Sequence, residues 1–302
     1  MKLPDNWTQF KKNMLEKIKM YCNSNIWPFP YSDVTAWLKN FDEPIEEYLA
    51  LQILDSLIVR TSETTKASYS SLFNSKLRQT LIEEGLISNM PIAEWKMHLK
   101  KGSLSRIIQF SPVRKPNDEG ESGSTIFRML SEDLHTDRYS SLGNRHDPRV
   151  IVLIDDIIGS GTQFVTGFSE SFDLANKIET KKIIYCPLIA FEEGIENIKS
   201  KFPDICIMPA EYIYKSDSIF YGNDNDLFRN DKKNTVGEAK IVFNSMREKY
   251  WPSIDINDWY GHESACLPVV FEWGCPNQAP RLLWWQSLNN DFTWHQLFSR
   301  RS

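Results

Sequence analysis

The chain is poor in the residues that staple or hinge small folds. Five cysteines (Cys22, Cys186, Cys206, Cys266 and Cys275) are spread over 302 residues. No two of them form a CxxC pair, and an odd count with such spacing excludes a disulfide scaffold and a zinc ribbon. A reduced, cytoplasmic setting is therefore expected. No apolar run approaches the roughly 20 residues that a membrane span needs, so no membrane partner is expected. The first residues, MKLPDNWTQFKKNMLEKIKMYC, have no apolar stretch of the kind a secretory signal carries. A basic excess is missing too: 35 Lys and Arg stand against 40 Asp and Glu. General polyanion binding is thus not the expected activity, although a local basic patch is compatible with this balance. Finally, none of the 13 glycines begins a GxxxxGK[ST] phosphate loop.

What remains is enough apolar material, 41% of the chain, for a sizeable core. Trp7, Phe10, Met14, Ile18 and Tyr21 recur at helical spacing. Two prolines break that pattern at NIWPFPYSDV. SDVTAWLKNF and PIEEYLALQILDSLIVR read as further helices, the second with Pro44 in its first turn and acids behind it. YSSLFNSKLRQTLIEEGLIS reads as another helix, ending at Gly85. Residues 1–100 therefore read as a small helical domain. It is either a plain packing domain or, with Lys76 and Arg78 on a polar stretch, a winged-helix-like or helix-turn-helix module that contacts nucleic acid.

The pattern changes near residue 104. LSRIIQFSPV, RVIVLID, KKIIYCPLIAF, DICIMPAEYIY and ACLPVVFEW are strand-like, and GSTIFRMLSEDL, GTQFVTGFSESFDLANKI, EGIENIKSKF and GEAKIVFNSMREKYW are helix-like. Alternation of this kind predicts an α/β domain over residues 101–302, a parallel sheet flanked by helices. The aromatic tail with Trp284, Trp285 and Trp294 is expected to close a core.

One stretch carries chemistry. In RVIVLIDDIIGSGTQF, five apolar residues run into Asp155 and Asp156, then two isoleucines and a Gly-Ser-Gly-Thr turn. In an open α/β sheet, ligands bind at the carboxyl ends of the strands. Two adjacent carboxylates there repel one another and call for hydroxyls or a metal ion as partners. A glycine turn leading into a helix presents backbone N–H groups to a phosphate. The plain alternative is an ordinary strand-to-turn junction, for which two acids and this turn are an unusual composition.

VIVLIDDIIGSGT resembles the phosphoribosyl pyrophosphate (PRPP) signature of the type I phosphoribosyltransferases. The resemblance implies that Asp155 and Asp156 face the ribose hydroxyls and, with Mg²⁺, the pyrophosphate. It implies that Gly159, Ser160, Gly161, Thr162 and Gln163 hold the 5′-phosphate. SPVRKPNDEGESGST is similar in position to the family's pyrophosphate loop, with Gly123 and Ser124 opening a helix and Arg114 and Lys115 supplying charge. HTDRYSSLGNRHDP corresponds to the family's lid, which makes Arg145 a candidate catalytic cation and Arg138 a second one. Asn277 in CPNQAP is a candidate for lining a base pocket. Two departures stand out: Gly159 offers no side-chain base, and Gln163 replaces the more usual Thr or Ser. No purine, uracil or orotate signature is present.

A narrower resemblance joins DDIIGSGTQ, ESGSTIFRML, WLKNFDEPIEEYLALQILD and PNQAPRLLWW. These segments look like those of phosphoribosyltransferase-like proteins in bacterial antiphage loci, including retron-associated ones. That resemblance implies an effector binding PRPP or a nucleotide, partnered by a reverse transcriptase and its RNA or DNA product. A catalytically silent sensor and a nucleic-acid-binding accessory are the competing expectations.

Overall fold

The computed structural model describes residues 1–114, 122–139, 147–221, 231, 233–285 and 294–300. The chain divides into two compact units, residues 1–61 with 215–302 and residues 62–214. These units differ from the expected division at residue 100, and the first of them is discontinuous.

The chain starts in the first unit with α1 (Trp7–Asn23), α2 (Tyr31–Leu38), α3 (Pro44–Asp55) and β1 (Ile58–Arg60). Pro44 occupies the first turn of α3, and Glu43 and Glu46 form a reciprocal capping box at its start. The expected helix stops short of IVR, which instead pairs with a strand more than two hundred residues away.

In the second unit α4 (Ser62–Leu72) runs through a π-helical turn (Phe73–Leu77) into α5 (Arg78–Glu83), and α6 (Ile92–Lys101) follows. Next come β2 (Ile108–Pro112), α7 (Ser122–Met129), α8 (Thr136–Tyr139) and β3 (Val150–Ile158). A second π-helical turn (Phe164–Phe168) leads to α9 (Ser169–Ser171) and α10 (Leu174–Thr180). The unit closes with β4 (Lys182–Phe191), α11 (Glu192–Lys201), β5 (Cys206–Ile207) and β6 (Glu211–Ile213). The chain then returns to the first unit with α12 (Val236–Tyr250), α13 (Ile256–Trp259) and β7 (Val269–Phe271), the strand that pairs with β1.

The sheet of the second unit is parallel throughout, in the order β2-β3-β4-β5, with β6 also on β4. Side chains alternate between its faces. On one face Ile151, Leu153, Ile183 and Tyr185 pack with Phe164, Phe168, Leu174 and Ile198 from the helices that follow β3 and β4. On the other, the aromatic chain Tyr69–Phe73–Phe110–Tyr139 ties α4 and its π turn to β2 and α8. The Trp95 indole donates to the Phe73 carbonyl inside that π turn. Residues 62–101 thus cover one face of the sheet, whereas the sequence alone suggested a separate helical domain. Arg78, one of the expected nucleic-acid contacts, donates to the Met90 carbonyl and to Asn89. It serves the connection between α5 and α6.

In the first unit the tryptophans close a core, as expected. Trp37, Trp259 and Trp284 are buried, and their indoles donate to the carbonyls of Leu282, Phe243 and Ala279. Trp294 packs at 4.1 Å from Trp251. All five cysteines are free thiols. No helix among the described residues is long and apolar enough to cross a membrane.

Burial lifts the phenols of Tyr139, Tyr250 and Tyr260 from 10.0 to about 12. A raised folded-state value means that the native protein holds these protons more tightly than the unfolded chain. Stability is therefore complete below pH 10 and is lost as pH rises from there towards about 12. Denaturant titrations over this range, followed with tyrosinate absorbance, should show the midpoint falling while the phenols ionise together with unfolding.

Candidate functional site

The segment singled out in the sequence is the centre of the second unit's sheet. Every residue of β3 is buried except Asp155, which is partly exposed. Alternation puts Asp155 on the same face as Leu153, and the register places Leu153 opposite Tyr185 of β4. The Tyr185 hydroxyl accordingly donates to Asp155 Oδ2 at 2.8 Å, and the Asp156 backbone N–H donates to Asp155 Oδ1 at 2.9 Å. Burial, reinforced by the Asp155 charge, pushes the Tyr185 phenol well above its usual range. It stays protonated and remains a donor. The Tyr185 ring stacks on Phe164 at 4.6 Å, directly behind the glycine turn.

Asp156 is wholly buried. The two acids therefore stand in different surroundings. Tyr69, a buried residue of α4, places its hydroxyl 2.6 Å from the Asp155 carbonyl and 3.0 Å from the Cys186 carbonyl. Burial and its acidic neighbours keep this phenol protonated as well. Helix α4 is thus fastened to the strand ends where the acids lie, a contact that helical spacing alone does not signal.

The turn after β3 is held from behind by α11. Gly161 has φ +75°, and a Cβ there would lie 2.7 Å from the Gly194 carbonyl oxygen. A Cβ on Gly194 would collide with the Gly159 carbonyl oxygen and come within 2.7 Å of Ile158 Cγ2. Asn197, one turn along α11, donates to the Ser160 carbonyl at 2.8 Å. Gly194 and Asn197 were not anticipated. Their three-residue spacing on one helix face was the available signal, but only knowledge of what that face touches gives it meaning. With the back of the turn occupied, Thr162 and Gln163 are exposed at the start of the next helix. Ser160 and Thr162 pair through their hydroxyls at 3.1 Å.

Gly123 lies at the start of α7 against the ends of two strands. A Cβ there would collide with the Val113 carbonyl oxygen and reach 3.2 Å from the Ile154 carbonyl oxygen. Among the described residues the buried Ser124 hydroxyl has no hydrogen-bond partner, a group that a ligand oxygen could satisfy. The structure therefore brings Gly123 and the Gly159–Thr162 turn to the carboxyl end of the same sheet, beside Asp155.

Arg138 donates to the Lys101 carbonyl at 3.2 Å, at the C-terminus of α6. Asn277 belongs to the first unit, where its carbonyl accepts from the His262 N–H. Lys115 and Arg145 lie outside the described residues. No group of three or more His, Cys, Asp or Glu is placed to hold a metal among the described residues.

A parallel sheet with helices on both faces, and a glycine turn and two acids at the carboxyl end of its central strand, defines a phosphoribosyltransferase-like protein. The PRTase-CE family profile matches residues 34–300, and the chain belongs to that family. Among solved structures it is similar to orotate phosphoribosyltransferase from Aeropyrum pernix. There the identity is 11% over 39% of this chain and 67% of that one, with a TM-score of 0.26. It is also similar to a protein from Aquifex aeolicus, with 12% identity over 58% of this chain and 86% of that one and a TM-score of 0.28. No curated protein matches the chain.

Proposed function

We propose that the second unit binds a phosphorylated ribose, PRPP or a nucleotide, together with Mg²⁺, and that the protein is a cytoplasmic effector of a bacterial antiphage system such as a retron. The observation that carries the ligand assignment is the turn 159–162, locked from behind by Gly194 and Asn197 and followed by the exposed Thr162 and Gln163. A turn fixed in this way needs little reorganisation to receive a phosphate. The 5′-phosphate would take the backbone of Gly159 to Gln163, and Asp155 would accept from the ribose hydroxyls. Gly123 and the unsatisfied Ser124 hydroxyl would receive the pyrophosphate. Magnesium suits this donor set as an ion that keeps its water and phosphate ligands and takes a carboxylate from the partly exposed Asp155; the expected second ligand, Asp156, is wholly buried. The antiphage role and the reverse transcriptase partner rest on the resemblance of DDIIGSGTQ, ESGSTIFRML and PNQAPRLLWW to proteins of such loci.

A second reading, a sensor without turnover, has one observation in its favour. Gly159, at the head of the turn, offers no side chain that could act as a base, so the cradle can bind its ligand without the group that some transferases use to activate an acceptor.

Thermal unfolding tests the shared core of both readings. A ligand at a hundredfold excess over its Kd stabilises the native state by about 2.7 kcal/mol. PRPP or one of the common nucleotides, with Mg²⁺, should raise the melting temperature accordingly. Asp155→Asn should remove that rise, and because its amide nitrogen would face one of the two donors that now meet Oδ1 and Oδ2, its unliganded melting temperature should fall as well. A full nucleotide and PRPP panel that leaves the wild-type melting temperature unmoved overturns the assignment.

A further inference from the structure

Away from the acid pair, the second unit carries a cavity of about 370 Å³ between α4 with its π turn, α6 and the turn after α7. Its floor is apolar: Phe73, Leu99, Leu130 and Leu134 line it, all nearly inaccessible. Met97, 43% exposed, stands at its mouth. Ligand cavities usually measure about 300–1,000 Å³, with an apolar lining and a few polar groups that orient the guest.

The polar groups here are mostly of one sign. Lys96, Lys100 and Lys101 belong to the lining, and Asp133 is the acid among them. Lys96 and Lys100 are four apart on α6 and share a face. Among the described residues, none of the three lysines has an acidic partner within ion-pair distance, whereas Lys66 and His98 nearby do. Lysines in the last turn of a helix do complement its dipole. The end of α6 is nevertheless already served by left-handed Gly102, by the Ser103 N–H on the His98 carbonyl and by Arg138 on the Lys101 carbonyl. Ser70 and Asn74 are neutral and paired with each other at 3.1 Å, which leaves Asp133 as one negative charge against three positive ones in the lining.

We infer that this cavity is a second binding site, taking a small amphipathic anion: an apolar chain or ring that fills the floor, with one phosphate or carboxylate among Lys96, Lys100 and Lys101. The π turn that forms one wall is a feature often found at functional sites. The inference is independent of the ribose assignment, because no residue of the acid pair or of the glycine turn lines the cavity.

The test uses the full-length protein and the fluorescent anion anilinonaphthalenesulfonate. Saturable one-to-one binding is expected with native near-UV circular dichroism. Octyl phosphate should displace the dye, while octanol and inorganic phosphate, each carrying half of the required chemistry, should do so at least roughly tenfold less well. Lys96→Glu with Lys100→Glu changes exposed side chains only. It should weaken octyl phosphate roughly tenfold or more and leave octanol unchanged. Met97→Asp should weaken both. Dye binding that ignores the lysine reversal, or that appears only where tertiary circular dichroism is lost, overturns the site. So does adsorption to phosphatidylglycerol vesicles that octyl phosphate fails to compete, which would make this face a membrane contact.

Discussion

Gly194→Ala is expected to destabilise the protein by about 3 kcal/mol and to abolish ligand-dependent stabilisation. The added methyl has nowhere to go. It would collide with the Gly159 carbonyl oxygen and sit 2.9 Å from the Gly159 carbonyl carbon, both backbone atoms that no rotamer change can move aside. Either α11 lifts from the sheet, exposing Ile198, or the turn is pushed outward and its N–H groups lose their alignment. Urea denaturation reads the first effect, and the PRPP or nucleotide melting shift reads the second. Asn197→Ala is the milder companion. It removes one hydrogen bond to the Ser160 carbonyl, costs about 1 kcal/mol, and should weaken ligand binding without abolishing it. Wild-type stability for Gly194→Ala would mean that α11 does not press on the turn, and the preorganisation argument would fall with it.

How far the sequence revealed this arrangement depends on the range of the interactions. The apolar run of β3, its two acids and its glycine turn are contiguous, so both the strand and the candidate site could be read directly. The core strands β2 and β4 were legible for the same reason: runs of β-branched residues bounded by helical spacing. What lay beyond reading was non-local. IVR continues an apolar helical run, and only its pairing with Val269–Phe271 makes it a strand. The helices of residues 62–101 have ordinary amphipathic spacing, which does not reveal that Tyr69 fastens them to the strand ends of the candidate site. The discontinuous first unit is invisible for the same reason, because its two halves are joined only by contacts far apart in the chain. Gly194 illustrates the limit best. In sequence it is a glycine in the first turn of a helix, a mildly unfavourable choice. In space it is the residue whose missing side chain lets the turn close.

The result with the largest effect concerns turnover. If the protein acts as a transferase on PRPP, the bond from the anomeric carbon to the pyrophosphate oxygen breaks and pyrophosphate leaves with the electron pair. An incoming nucleophile then bonds to that carbon. Positive charge builds on the ribose during this exchange, and carboxylates fixed beside the sugar stabilise it without having to reorient. Asp155 is fixed in this way, by the Tyr185 hydroxyl and the Asp156 N–H. Asp155→Asn should therefore lower turnover on the order of a hundredfold or more, beyond its effect on binding. Tyr185→Phe keeps the stack on Phe164 but frees the carboxylate, so it should lower kcat more than ligand affinity. Arg145→Ala should do the same if that cation meets the leaving pyrophosphate. The measurement is product analysis by mass spectrometry after incubation with PRPP, NAD and the common nucleotides, alone and with the proposed reverse transcriptase partner. Multiple-turnover release of pyrophosphate or free base that disappears in Asp155→Asn excludes a pure sensor. Tight binding without product, with the partner present, excludes the transferase and leaves Asp155, Asp156 and the Gly159–Gln163 turn as a cradle that reports its ligand without changing it.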